Sequence, residues 1–155
     1  MGLDMYLNKK TYIKRWEHTP KESVYHVTID REKGHRIKTE RVTFIEEELM
    51  YWRKANHIHA FFIDRCGDEG GYHNCREMYV DTETITDLIN KLKKVVKAKD
   101  DSVSSELLPT APGFFWGATE YDEYYYEECE RTLNELSDLV DSGDADCDLY
   151  YQASW

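Results

Sequence analysis

The start of the chain, "GLDMYL", alternates apolar and polar positions, with Leu3, Met5 and Leu7 on one side, and this period of two predicts a strand. "VYHVTI" (Val24 to Ile29) predicts another. The turn-like "DREKGH" and an arm near Ile37 follow it and suggest a hairpin, which "RVTFI" would extend. Beyond that point the spacing becomes helical. Ile45, Leu49, Trp52, Ala55 and Ile63 fall on one stripe at about 100° per residue, with Phe62 at its edge. The expected helix runs from about Glu46 to Arg65, and Glu46, Glu47 and Glu48 in its first turn suit the helix dipole.

"CGDEGGYHNC" reads as a loop and "REMYV" as a short strand, after which Asp81 or Thr82 can cap a second helix. Ile85, Leu88, Ile89, Leu92, Val95 and Val96 form its apolar side, with lysines opposite. "KDDSVSSELLPTAPG" reads as the longest loop and "GFFWG" as an aromatic strand. Thr119 would cap a third helix reaching Val140, which Gly143 ends. Tyr121, Tyr125, Cys129, Leu136 and Val140 share one of its faces. "DLYYQASW" alternates Leu149, Tyr151, Ala153 and Trp155 and predicts a last strand. Without a regular βαβ rhythm, the expected class is α+β: a single domain over residues 1–155, about three helices, and a mixed or antiparallel sheet containing both terminal strands.

Composition narrows the function. The chain has 155 residues, 41% hydrophobic and 33% charged, with no apolar run long enough to span a bilayer, so no membrane partner is expected. Asp4 precedes the lysines of "MGLDMYLNKK", the reverse of a signal peptide, which predicts a cytoplasmic protein with reduced thiols. Cys66, His73 and Cys75 raise a metal site, but their spacing matches no C-x-x-C knuckle and a fourth ligand would have to come from Cys129 or an acid. No metal and no cofactor are expected.

The net charge of −11 is uneven: residues 1–100 hold 19 Lys and Arg against 17 acids, whereas residues 101–155 hold only Arg131 against 14 acids. That excludes a general nucleic-acid binder, since phosphates reward basic surfaces. It leaves room for a local basic pocket, or for a basic protein partner.

Candidate chemistry centres on "YWRKANHIHAFF". Asn56 and His59 fall inside the predicted apolar stripe, and each costs about 1–3 kcal/mol if buried unpaired. Either the fold or a ligand must answer them. Trp52 and Arg53 stand beside them, and the Arg53 fork could clasp a phosphate or carboxylate, or pair with Glu120 or Asp122. Arg76 opens a strand, while Thr110, Phe115 and Trp116 belong to a segment that could close over the same cleft. Glu120, Tyr121 and Tyr125 complete the candidate ligand site. No catalytic residue is assigned: G-x-S-x-G and phosphate-loop signatures are absent. The 21 aromatic residues, 12 of them tyrosines, are equipment for stacking on a planar ligand.

"MGLDMYL", "YWRKAN", "LLPTAPGFFWGATEYDEYYYE" and "YYQASW" together resemble a family of small phage, prophage and bacterial proteins with no settled activity. The resemblance implies host takeover or counter-defence, and it brings in sequestration of a nucleotide-derived immune signal as the expected role. The alternative is an acidic inhibitor or nucleic-acid mimic whose C-terminal face binds a host defence protein. A nucleotide hydrolase using His59 and a carboxylate ranks third. A homodimer is open.

Overall fold

A computed structural model describes residues 2–34, 37–68, 71 and 73–155. Its sheet has four antiparallel strands in the order β2-β1-β4-β3. These are β1 (Asp4–Tyr12), β2 (Phe44–Arg53), β3 (Glu77–Val80) and β4 (Leu149–Ser154). Four helices accompany them: α1 (Asn56–Cys66), α2 (Thr82–Ala98), α3 (Asp101–Leu107) and α4 (Glu123–Ser142). The fold is therefore α+β with both terminal strands in the sheet, as the alternation predicts, and it has one helix more than expected.

Met5, Leu7, Met50, Trp52, Met78, Val80, Leu149, Tyr151 and Ala153 point from one side of the sheet into a continuous core. The helices supply its other wall through Ile58, Phe62, Ile85, Leu88, Leu92, Val95, Tyr125, Cys129 and Leu136. The amphipathic reading of α2 holds, and Asp81 caps it by accepting from Thr84 N at 2.7 Å. Gly143 ends α4 at φ +81°, as expected. Val140, predicted on the buried face of α4, is 41% exposed.

Several expectations need correction. The helix predicted from Glu46 is strand as far as Arg53, and helix begins only at Asn56. Met50 and Trp52 are buried while Tyr51 and Arg53 are exposed, so a period of two governs this stretch. Trp52 satisfies both periods, and Ala55, three residues on, is buried as the N-cap of α1, which is what made the helical stripe look continuous.

Val24–Ile29 forms no strand. The described residues of the 13–43 arm form two short 3₁₀ turns, with Trp16, Tyr25, Ile29 and Ile37 exposed, and the end of the predicted "DREKGH" turn lies outside the described residues. The hairpin closes beneath the arm instead, where Ile13 N donates to Thr43 O at 2.9 Å. Part of the supposed long loop is α3, capped by Asp100, whose Oδ1 accepts from Ser102 N and Val103 N. "GFFWG" is a turn in which Trp116 N donates to Gly113 O and Phe115 takes φ +65°. Asp122, not Thr119, caps α4 by accepting from Tyr125 N at 3.0 Å.

Candidate functional site

At the junction of β2 and α1 the chain turns sharply. Lys54 adopts φ +58°, its N–H donates to Leu3 O at 2.8 Å, and its carbonyl accepts from Asn56 N. α1 then starts at Ala55 without a side-chain cap. The segment 109–119 wraps over this start, and Asn56, only 2% exposed, holds it there. Asn56 Nδ2 donates to Ala118 O at 2.8 Å and Trp116 O at 3.3 Å, and Oδ1 accepts from Ala111 N at 3.0 Å. The buried amide is therefore answered by backbone. Gly117 comes so close that a Cβ there would lie 3.0 Å from both Cβ and O of Lys54.

Between this wrap and the first turn of α4 lies a cleft of about 210 Å³. Lys54, Asn56, His57, Thr110, Glu120, Asp122, Tyr124 and Tyr125 line it. Thr110 Oγ1 donates to Thr119 O, and Tyr125 OH donates to Leu108 O at 2.8 Å. Tyr121 packs edge-on against Tyr125, with ring centroids 5.0 Å apart. Burial raises the Tyr125 hydroxyl well above its ordinary range. Glu120 accepts from Thr119 N and Asp122 from Tyr125 N, so both carboxylates already hold backbone donors.

The two histidines of α1 part company, as their i, i+2 spacing requires. His57 turns toward Tyr125 and Cys129, its Nε2 3.5 Å from Cys129 Sγ, and burial pulls its pKa down to about 3. His59 turns toward the sheet, where its Nδ1 meets Tyr151 OH at 2.7 Å. Its ring is boxed edge-on by Trp116 and Trp155, with centroids at 4.7 and 5.0 Å. Burial, then the neighbouring His73, lowers its pKa to about 4. His59 Nε2, His73 Nδ1 and Trp116 Nε1 have no hydrogen-bond partner among the described residues.

Burial raises the thiols of Cys129 and Cys66 to about 12 and 11. At neutral pH these imidazoles are uncharged and these thiols protonated, so none offers a thiolate or an imidazolium. Among the described residues no three His, Cys, Asp or Glu side chains gather as metal ligands.

The predicted site residues thus divide. Asn56, Thr110, Glu120 and Tyr125 line one cleft, with Tyr121 behind them. His59 and Trp116 belong to a closed aromatic box. Trp52 is core, its Nε1 donating to Thr132 Oγ1 at 2.9 Å. Arg53 is exposed and lies 4.0 Å from Asp4, not on Glu120 or Asp122. Phe115 is exposed beside it, since a Cβ at Gly2 would sit 4.0 Å from both Arg53 Nε and Phe115 O. Arg76 pairs with Asp68 at 2.7 Å, away from the cleft.

Sequence reasoning passed over Lys54, His57 and Trp155. The positive φ of Lys54 has no sequence signal, whereas Trp155, the last member of the alternation Leu149, Tyr151, Ala153, could have been flagged as a site residue. No family model matches the chain, and neither curated proteins nor solved structures supply a match.

Proposed function

We propose that the protein is a non-enzymatic binder of a nucleotide-like small molecule, held at the start of α1. The observation that carries this reading is the meeting of the uncapped α1 N-terminus and Lys54 with Thr110, Glu120, Asp122, Tyr124 and Tyr125 in the 210 Å³ cleft. A helix start and an ammonium suit an anionic head. Glu120 and Asp122 can accept from sugar hydroxyls, and the half-exposed Tyr124 ring offers a stacking face for a base. The cleft is smaller than the 300–1,000 Å³ of a typical drug-sized site, so it takes the head and sugar while the base lies outside.

The neutral His57 that lines it, with the protonated Cys129 behind, favours binding over turnover. The resemblance to phage-type proteins makes a nucleotide-derived immune signal the ligand of choice and the host cytoplasm the setting. A panel of linear and cyclic nucleotides, screened by thermal shift on the wild type and Lys54→Ala, tests this. A rise in Tm with one nucleotide, reduced about 10-fold in affinity by Lys54→Ala, supports it. No shift with any nucleotide refutes it for those tested.

A second reading has its own observation. Glu123, Glu127, Glu130, Asp138 and Asp141 follow one another along the exposed side of α4. Arg131, the helix's only basic residue, is spent on Glu128 and Glu135. Such a stripe suits an inhibitor of a basic defence protein, or a nucleic-acid mimic. Neutralising Glu127 and Glu130 would then slow partner association while leaving nucleotide binding unchanged.

A further inference from the structure

The helices cover one side of the sheet, and the other side carries an aromatic pattern. Outward positions of antiparallel sheets facing water are ordinarily small, charged or β-branched polar residues. Here Tyr6, Tyr12, Phe44, Tyr51, Tyr79 and Tyr150 occupy them. Tyr79 is 57% and Phe44 53% exposed, and no helix lies over them. Tyr79 and Tyr150 meet edge-on at 5.8 Å, as do Tyr12 and Phe44 at 5.0 Å. Exposed aromatic area of this extent marks an interaction surface.

The charges on this face indicate its partner. Strand register arranges them in rows. Asp4 lies beside Arg53, Tyr6 beside Tyr51 and Gln152, Asn8 beside Glu48 and Tyr150, and Lys10 beside Glu46. On β3, Glu77 lies beside Gln152 and Tyr79 beside Tyr150. We propose that this face binds a second copy of itself, sheet on sheet. The two-fold axis would lie between the faces, perpendicular to the strands and between the Tyr6 and Asn8 rows. Such an axis sets each strand antiparallel on its own counterpart and reverses the order of the rows.

Asp4 then faces the partner's Lys10, and Arg53 faces the partner's Glu46. Tyr51 meets the partner's Glu48, and Tyr79 meets the partner's Glu77. Each copy already sets Arg53 4.0 Å from Asp4 and Lys10 3.8 Å from Glu46, with Lys10 also on Glu77 at 2.6 Å, so the two copies would join these pairs into alternating networks, and the Tyr6, Tyr150 and Gln152 side chains fill the centre.

The dimensions set the strength. Seven residues on each of β1 and β2, six on β4 and four on β3, at ~4.8 Å between strands and ~3.4 Å per residue, give a flat footprint of about 400 Å² per copy. That places the pair at the small, reversible end of specific interfaces, below about 1,200 Å² in total. The expected association is therefore weak and reversible.

Sedimentation equilibrium between 1 and about 200 µM tests it, with circular dichroism to verify the fold of each variant. The wild type is expected to dimerise. Tyr79→Arg, Asp4→Lys and Lys10→Asp should each weaken the dimer at least 10-fold, because each contact occurs twice. Mixing Asp4→Lys with Lys10→Asp should restore a heterodimer, since both symmetric contacts become Lys against Asp. A wild type that stays monomeric throughout, or a dimer indifferent to Tyr79→Arg, overturns the proposal. A mixture that fails to associate overturns the two-fold arrangement.

Discussion

Asn56→Leu tests whether the buried amide belongs to the fold. The substitution keeps volume and burial but removes two donors, to Trp116 O and Ala118 O, and one acceptor for Ala111 N. Because the partners are backbone groups, no second mutation can make them apolar. Each orphaned group costs about 1–3 kcal/mol, and the lower figure applies because Ala111, Trp116 and Ala118 can turn partly to water. The sum is about 3 kcal/mol, a large share of the ~5–15 kcal/mol that holds an ordinary domain together. Urea denaturation should show a lower midpoint at unchanged slope. Hydrogen exchange should speed up at the Ala111 amide before it does so in α2, since the 109–119 wrap is released first. A loss under 1 kcal/mol, or an Ala111 amide that exchanges as in the wild type, would refute the anchoring role.

Acid should destabilise the fold through its histidines. His57 and His59 have pKa values below that of the unfolded chain, so the unfolded state binds more protons between about pH 6.5 and pH 4 and stability falls as pH drops through that window. Two protons give at most about 2.7 kcal/mol per pH unit, and His57→Phe should roughly halve the slope measured by urea titration at several pH values. Deleting residues 149–155 removes an interior strand together with Leu149, Tyr151 and Ala153, so no cooperative melt should remain in calorimetry. Replacing residues 14–42 by Asn-Gly should leave circular dichroism and a cooperative melt intact, because the hairpin already closes at Ile13 and Thr43. Gly117→Ala, at φ +98° and against Lys54, should cost about 1–3 kcal/mol in the same melt.

The sheet and α2 were legible because burial on one side imposes a strict period. Leu3, Met5 and Leu7 alternate, as do Leu149, Tyr151 and Ala153, and the α2 stripe is unbroken. β2 was misread because Glu46, Glu47 and Glu48 suit a helix start as well as a strand, and because Trp52 fits either spacing while Ala55 is buried by the helix that follows. The 24–29 segment has strand-like residues but no neighbour to pair with, so side-chain preference alone could not build a strand there.

The site was half legible. Pattern exposed Asn56 and His59 as buried polar groups needing partners, but those partners sit at Ala111, Ala118 and Tyr151, 55 to 92 residues away. Only the folded topology brings them together. Arg53 was grouped with Asn56 on the strength of the helix, and the strand turned it to the opposite side of the sheet.

The glutamate triplet has a consequence for how the protein behaves in a crowd. β2 is the outer strand of the sheet: α4 covers its C-terminal end through Arg131 Nη2 on Tyr51 O and Tyr124 OH on Arg53 O, while along Phe44–Met50 no further strand pairs with it among the described residues. A flat, uncharged edge of that length is a template on which copies can add end to end without limit. Glu46, Glu47 and Glu48, all exposed, put three like charges in the middle of it. A copy approaching edge-on would bring its own triplet against them. The residues that misdirect a reader of the sequence thus sit where an edge-to-edge contact would set like charge against like charge, the position of a gatekeeper.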